Sequence, residues 1–95
     1  MSEDFTIPQK GLLYFSAFWC QPCQRMKPII EELKNEGYNI QKIDVEDETL
    51  TAQYFEITSI PTFVLILEGK ERERIVGAVS KEKLERVLVK LKSEG

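Results

Sequence analysis

Apolar residues recur along this chain in two rhythms, and the switches between them mark out seven elements. Residues 11–17 (Gly-Leu-Leu-Tyr-Phe-Ser-Ala) form a short continuous apolar run, the pattern of a buried parallel strand. A helix is expected from about residue 21 to 36. There Met26, Ile30 and Leu33 fall at i, i+4 and i+7 with Ile29 beside them, and Gly37 sits where a helix ends. Pro28 lies inside this helix and cannot donate to the carbonyl of Gln24, so a kink is expected. Residues 39–45 read as a second strand carrying Ile40, Ile43 and Val45. Residues 49–55 read as a short helix with Leu50, Tyr54 and Phe55 inward. The β-branched and aromatic run 62–67 is a third strand, residues 68–70 a turn, and 72–76 a fourth strand paired with it as a hairpin. The last helix spans about 81–92 with Ser80 as N-cap and Leu84, Val87, Leu88 and Leu91 as its core stripe.

This order, βαβαββα, begins with a strand–helix–strand unit that closes as a right-handed parallel crossover. The expected fold is α/β: a four-stranded mixed sheet with helices on both faces, in a single domain over residues 1–95. The densest charge run, residues 44–49 (Asp-Val-Glu-Asp-Glu-Thr), reads as a solvated turn with acids near the positive end of the following helix.

Composition narrows the chemistry. A net charge of −3, from 13 basic and 16 acidic residues, argues against a nucleic-acid or membrane-surface binder. No apolar run approaches the ~20 residues of a spanning helix. The polar, acidic first ten residues do not read as a signal peptide, and with a close cysteine pair the expectation is a reducing, cytoplasmic setting. The sequence contains no histidine, which removes histidine-based general bases and most zinc chemistry.

The only two cysteines stand in Trp19-Cys20-Gln21-Pro22-Cys23, immediately after the first strand. Thiols at i and i+3 come within bonding reach once a first helical turn forms between them. If Cys20 opens that helix, the backbone dipoles favour its thiolate, the nucleophile of disulfide exchange, and Cys23 can release the mixed disulfide. Other readings compete. As a structural staple the pair is weak, since closing a loop of about 4 residues contributes roughly 2 kcal/mol against ~3 for 15 residues. Zinc wants four ligands, and two sulfurs could serve only a site shared between two copies. The pair could also be two buried apolar residues. Pro61 could be a strand-start proline or a cis-proline, Trp19 core or docking rim, and Gly77 a bulge or a point of close substrate approach.

Taken together, Trp19-Cys20-Gln21-Pro22-Cys23, Ile60-Pro61-Thr62 some ~38 residues on, and Val76-Gly77-Ala78 resemble the thioredoxin family, over about residues 12–91. The resemblance implies a protein-disulfide reductase with no bound cofactor. Its partners would be disulfide-containing proteins and an electron donor such as thioredoxin reductase or the glutathione system, with no nucleic acid or membrane and a monomeric state. It implies that Cys20 attacks and Cys23 resolves. Trp19, Gln21, Pro22, Ile60, Pro61, Gly77 and Ala78 would form the substrate surface, with Pro61 cis so that the Ile60 backbone can pair with an extended substrate. Pro28 matches the proline that kinks the active-site helix, and Lys42 the lysine beneath the site.

Two departures stand out. Six residues before the attacking cysteine the family has a buried aspartate, and here the residue is Tyr14. With an ordinary pKa near 10 a tyrosine can donate a hydrogen bond but cannot serve as a resting base. Slower resolution is therefore expected, or deprotonation of Cys23 assisted by water or the charge of Lys42. Tyr14 also suits a glutaredoxin-like relative. The second departure is the short lead-in: about ten residues precede the first strong strand, so the family's opening strand and helix are expected to be missing or vestigial. Phe5-Thr6-Ile7 is a candidate edge strand. The alternative function is a redox-independent binding module that uses the Trp19, Ile60 and Ala78 surface as a subunit of a larger complex.

Overall fold

The computed structural model describes residues 5–93. Its elements follow the expected order: β1 (Lys10–Ser16), α1 (Gln21–Asn35), β2 (Ile40–Asp44), α2 (Thr49–Tyr54), β3 (Thr62–Leu67), β4 (Lys70–Val76) and α3 (Lys81–Ser93). The four strands lie in the order β2-β1-β3-β4. β1 pairs parallel with β2, Tyr14 opposite Lys42 and Ser16 opposite Asp44, and antiparallel with β3, Tyr14 opposite Phe63. β3 and β4 form the hairpin, closed by Glu68-Gly69 with φ of 55° and 74°, a two-residue turn whose twist suits the strands. That tight turn lets β4 begin at Lys70, two residues earlier than the sequence suggested.

Period two along β1 sorts its side chains between two cores. Leu12 and Tyr14 face a cluster with Met26, Ile30 and Leu33 of α1 and Leu84, Val87 and Leu88 of α3. Leu13 and Phe15 face the other side, with Ile43, Val64, Ile66 and Phe55 just after α2. Helices therefore cover both faces of the sheet. Leu33, Leu84 and Leu88 are fully buried, each contributing about 1.5–3 kcal/mol relative to exposure. α1 ends as the sequence indicated. Gly37 has φ +99°, its N–H donates to Lys34 O at 2.9 Å, and Tyr38 N–H donates to Leu33 O at 3.2 Å, which satisfies two orphan carbonyls. Ser80 caps α3, its Oγ accepting from Lys83 N–H at 3.2 Å.

One expectation fails. Leu50 and Tyr54 are not core residues: they are 48% and 70% exposed, while Thr51, Ala52 and Phe55 are buried. A helix of six residues has one narrow inner face, and here positions 51, 52 and 55 hold it. Residues 5–7 form no strand. Phe5 and Ile7 instead lay their side chains against the Leu13–Phe15 core, so apolar burial rather than strand pairing holds this segment.

Candidate active site at the start of helix α1

Chain direction places both sulfurs. β1 ends at Ser16, a tight turn ties Cys20 N–H to Ala17 O at 3.1 Å, and α1 begins at Gln21. Cys20 is therefore the N-cap, with extended backbone (φ −86°, ψ 110°). Its Sγ accepts the Cys23 N–H at 3.2 Å, where a serine or aspartate oxygen stands in other helices, and its carbonyl accepts from Gln24 N–H at 3.1 Å. Cys20 and Cys23 are joined as a disulfide, Cα atoms 5.2 Å apart. Both residues are buried, in a small cluster with Ala17 against which Val45 and Ile60 pack. No acidic residue occupies the first turn, so nothing there offsets the positive potential that the amides of this helix end create at Cys20 Sγ. Gln21 is exposed and Pro22 half-buried, in the first turn where a proline costs no hydrogen bond.

The residues that the sequence grouped with the sulfurs do converge at this end of the sheet. The Ile60–Pro61 bond is cis. Pro61 O accepts from Gly77 N–H at 2.8 Å, joining the entry of β3 to the exit of β4. Gly77 holds φ +101°, and a Cβ there would meet no atom within 4 Å, so backbone conformation and not crowding requires glycine. The hairpin's register shift lies at Leu65/Ile66, away from Gly77. Ala78 is exposed, as are Val76 and, at 55%, Trp19. Trp19 lines a groove with Val45, Ile57 and Ile60, so it belongs to the surface and not the core. Pro28 is exposed within α1.

Behind the sulfurs, Tyr14 Oη donates to Cys23 O at 2.8 Å, and its ring stacks on Phe63 with centroids 5.1 Å apart. Burial pushes the phenol above its ordinary value, with the nearby Ser16 hydroxyl pulling the other way. Tyr14 thus stays protonated at neutral pH. A cavity of about 460 Å³ opens on the same face, lined by Tyr14, Ser16, Cys23, Lys27 and Lys42 among others. Lys42 lines this cavity together with Cys23, opposite Tyr14 in the sheet.

Two contacts and one unpartnered hydroxyl were not foreseen. Trp19 Nε1 donates to Glu46 Oε2 at 2.8 Å, so part of the acidic run tethers the exposed indole and is not merely solvated. Gln24 Nε2 donates to Phe18 O at 2.9 Å and fixes the turn before Cys20. Ser16 is buried with its Oγ unpartnered. Period two from Tyr14 would have put Ser16 on this face; nothing in the sequence marks Glu46 or Gln24 out from their polar neighbours.

Comparison with known proteins agrees with the geometry. The Thioredoxin family profile matches residues 5–90. Thioredoxin H2 of Arabidopsis thaliana is 41% identical over 81 residues, 83% of this chain and 60% of that protein. A thioredoxin of Staphylococcus saprophyticus is 39% identical over 83 residues, 84% of this chain and 80% of that protein. Among solved structures, a mutant thioredoxin from Halobacterium salinarum superposes with a TM-score of 0.82 at 30% identity, covering 87% of this chain and 74% of that one. A thioredoxin from Nicotiana alata gives 0.80 at 38% identity, over 87% and 73%. The match is to thioredoxins, as the motifs at residues 19–23, 60–62 and 76–78 indicated. The chain belongs to the thioredoxin family, and its Cys20–Cys23 pair makes it a thiol–disulfide oxidoreductase.

Proposed function

We propose that the chain reduces protein disulfides, with Cys20 as the attacking and Cys23 as the resolving cysteine. The observation that carries this reading is Cys20 Sγ at the N-cap of α1, accepting a backbone N–H and bonded to Cys23. In the reduced protein the amides of the first turn and the helix dipole stabilise the Cys20 thiolate. A pKa one to two units below ~8.5 corresponds to about 1.4–2.7 kcal/mol of stabilisation, within reach of such a site without a basic partner. The Cys20 thiolate attacks the substrate disulfide. One substrate sulfur leaves as thiolate and the other stays bound to Cys20. The Cys23 thiolate then attacks Cys20 Sγ, the Cys20–Cys23 bond forms, and the second substrate thiolate departs. The substrate is oxidant, the protein reductant, and two electrons pass.

The substrate lies as an extended strand over Trp19, Gln21, Pro22, Ile60, Pro61, Gly77 and Ala78, its backbone pairing with that of Ile60. The protein acts as a single cytoplasmic domain over residues 1–95, as a monomer, recharged by a flavin-dependent thioredoxin reductase or by glutathione. Insulin-disulfide reduction with each donor in turn tests this. Cys20→Ser loses all turnover, and Cys23→Ser accumulates a mixed disulfide visible by mass spectrometry. Turnover retained in Cys20→Ser contradicts the reading. Biological activity retained when both cysteines are serine would show the apolar rim to be the functional part and the chain a binding module.

A further inference from the structure

Cys23 has a second face, away from substrate, on the cavity lined by Tyr14, Ser16, Lys27, Glu31, Lys34 and Lys42. We infer that Cys23 gives up its proton into this cavity, through water held by the hydroxyl of Ser16, and that Ser16 is the positioning residue for the resolving step. The inference rests on the resolving role proposed above for Cys23.

Three observations carry it. The first is Ser16 itself: 1% exposed, on the cavity wall, its Oγ without a hydrogen-bond partner. A buried hydroxyl left so is costly, about 1–3 kcal/mol, and water in a polar cavity of this size relieves it. The second is Tyr14. It is a neutral phenol whose Oη donates to the Cys23 carbonyl, and a protonated phenol is no base for the Cys23 thiol. The third is charge. The titratable groups that share the cavity lining with Cys23 are Tyr14 from β1, Lys27, Glu31 and Lys34 from α1, and Lys42 from β2. None of the three lysines joins an ion pair among the described residues. Three cations against one carboxylate favour the thiolate and a departing proton.

The step balances. The thiol proton passes to cavity water and out to solvent. The Cys23 thiolate attacks Cys20 Sγ, the Cys20–Cys23 bond forms, the Cys20–substrate bond breaks, and the substrate thiolate takes a proton from solvent.

The test is the reaction of the reduced protein with an aromatic disulfide whose thiolate is coloured, followed by stopped flow from pH 5 to 10. Attack by Cys20 gives a first, concentration-dependent release, and resolution by Cys23 a second, concentration-independent one. Ser16→Thr keeps the hydroxyl, and Ser16→Val has the same shape without it. With Ser16→Val the second phase slows about tenfold at neutral pH and its midpoint rises by about one unit. Ser16→Thr restores both values, and the first phase, which also reports the fold, is the same in both. Equal second phases in the two variants, at every pH, overturn the inference. A second phase that survives in Cys23→Ser overturns the resolving role itself.

Discussion

Tyr14 Oη donates a buried hydrogen bond to the main-chain carbonyl of Cys23, at 2.8 Å. The central strand is thereby fastened to the first turn of the active-site helix by an uncharged group, at the position where the family has a carboxylate. The bond fixes where the helix starts relative to the sheet, and hence where both sulfurs lie. Because burial keeps this phenol protonated at neutral pH, it is an anchor there and not a base.

Replacing Tyr14 with phenylalanine therefore removes an anchor and not a base. The expected loss is about 1 kcal/mol in urea unfolding at pH 7. The pH dependence has a definite sign. Burial raises the folded phenol above its ordinary value, so the folded protein holds that proton more tightly than the unfolded chain. The corresponding stability is fully present below about pH 10 and is lost as pH climbs through the folded midpoint. Urea midpoints from pH 7 to 11 should fall more steeply for the natural protein than for Tyr14→Phe. Parallel curves would show that this phenol does not titrate differently in the two states.

Glu46 holds the exposed indole of Trp19 in place. Glu46→Ala frees the indole, whose Nε1 now donates to a carboxylate at 2.8 Å. Both side chains are exposed, so stability changes by no more than about 0.5 kcal/mol. The indole fluorescence should shift, and KM for a protein disulfide should rise while that for a small aromatic disulfide stays put. An unchanged ratio of the two would mean that indole orientation does not matter to docking.

Gly77→Ala tests the loop opposite the sulfurs. There is room for the methyl group, but φ +101° is poorly tolerated by any side chain, and the expected cost is roughly 1–2 kcal/mol. The Gly77 N–H bond to Pro61 O should loosen with it, lowering kcat/KM for protein substrates more than stability alone explains. Thermal unfolding and insulin reduction together check this, and a variant unchanged in both contradicts it.

Burial separates two large residues that look alike in sequence. Leu33→Ala, at a fully buried position, should cost about 2–5 kcal/mol, whereas Tyr54→Ala, 70% exposed, should stay within about 0.5 kcal/mol. Chemical denaturation of both variants decides it; equal losses would put Tyr54 in a core the structure does not give it.

These contrasts show what the sequence could reveal. Long periodic elements were legible because many residues vote together: Met26, Ile30 and Leu33 fix one face of α1, and Gly37 its end. Residues 49–55 hold too few positions for periodicity to choose a face, and the inward set proved to be Thr51, Ala52 and Phe55. Phe5 and Ile7 carry strand-like composition, yet only tertiary packing decides whether they pair or merely cover a core. At the site, the sulfurs, Pro61 and Gly77 were legible because their chemistry or conformational demands are unusual. Ser16 and Glu46 are ordinary residues made significant by a cavity and by a neighbour 27 positions away, and neither is written in local sequence.

The account stands on the Cys20 sulfur being a thiolate at rest because it caps α1. The direct measurement is an ultraviolet thiolate titration of the reduced Cys23→Ser variant, which leaves Cys20 as its single thiol. A midpoint at least one unit below the ordinary ~8.5 is the predicted result. A midpoint at the ordinary value would mean that the helix end does not activate the sulfur, and would contradict the mechanism.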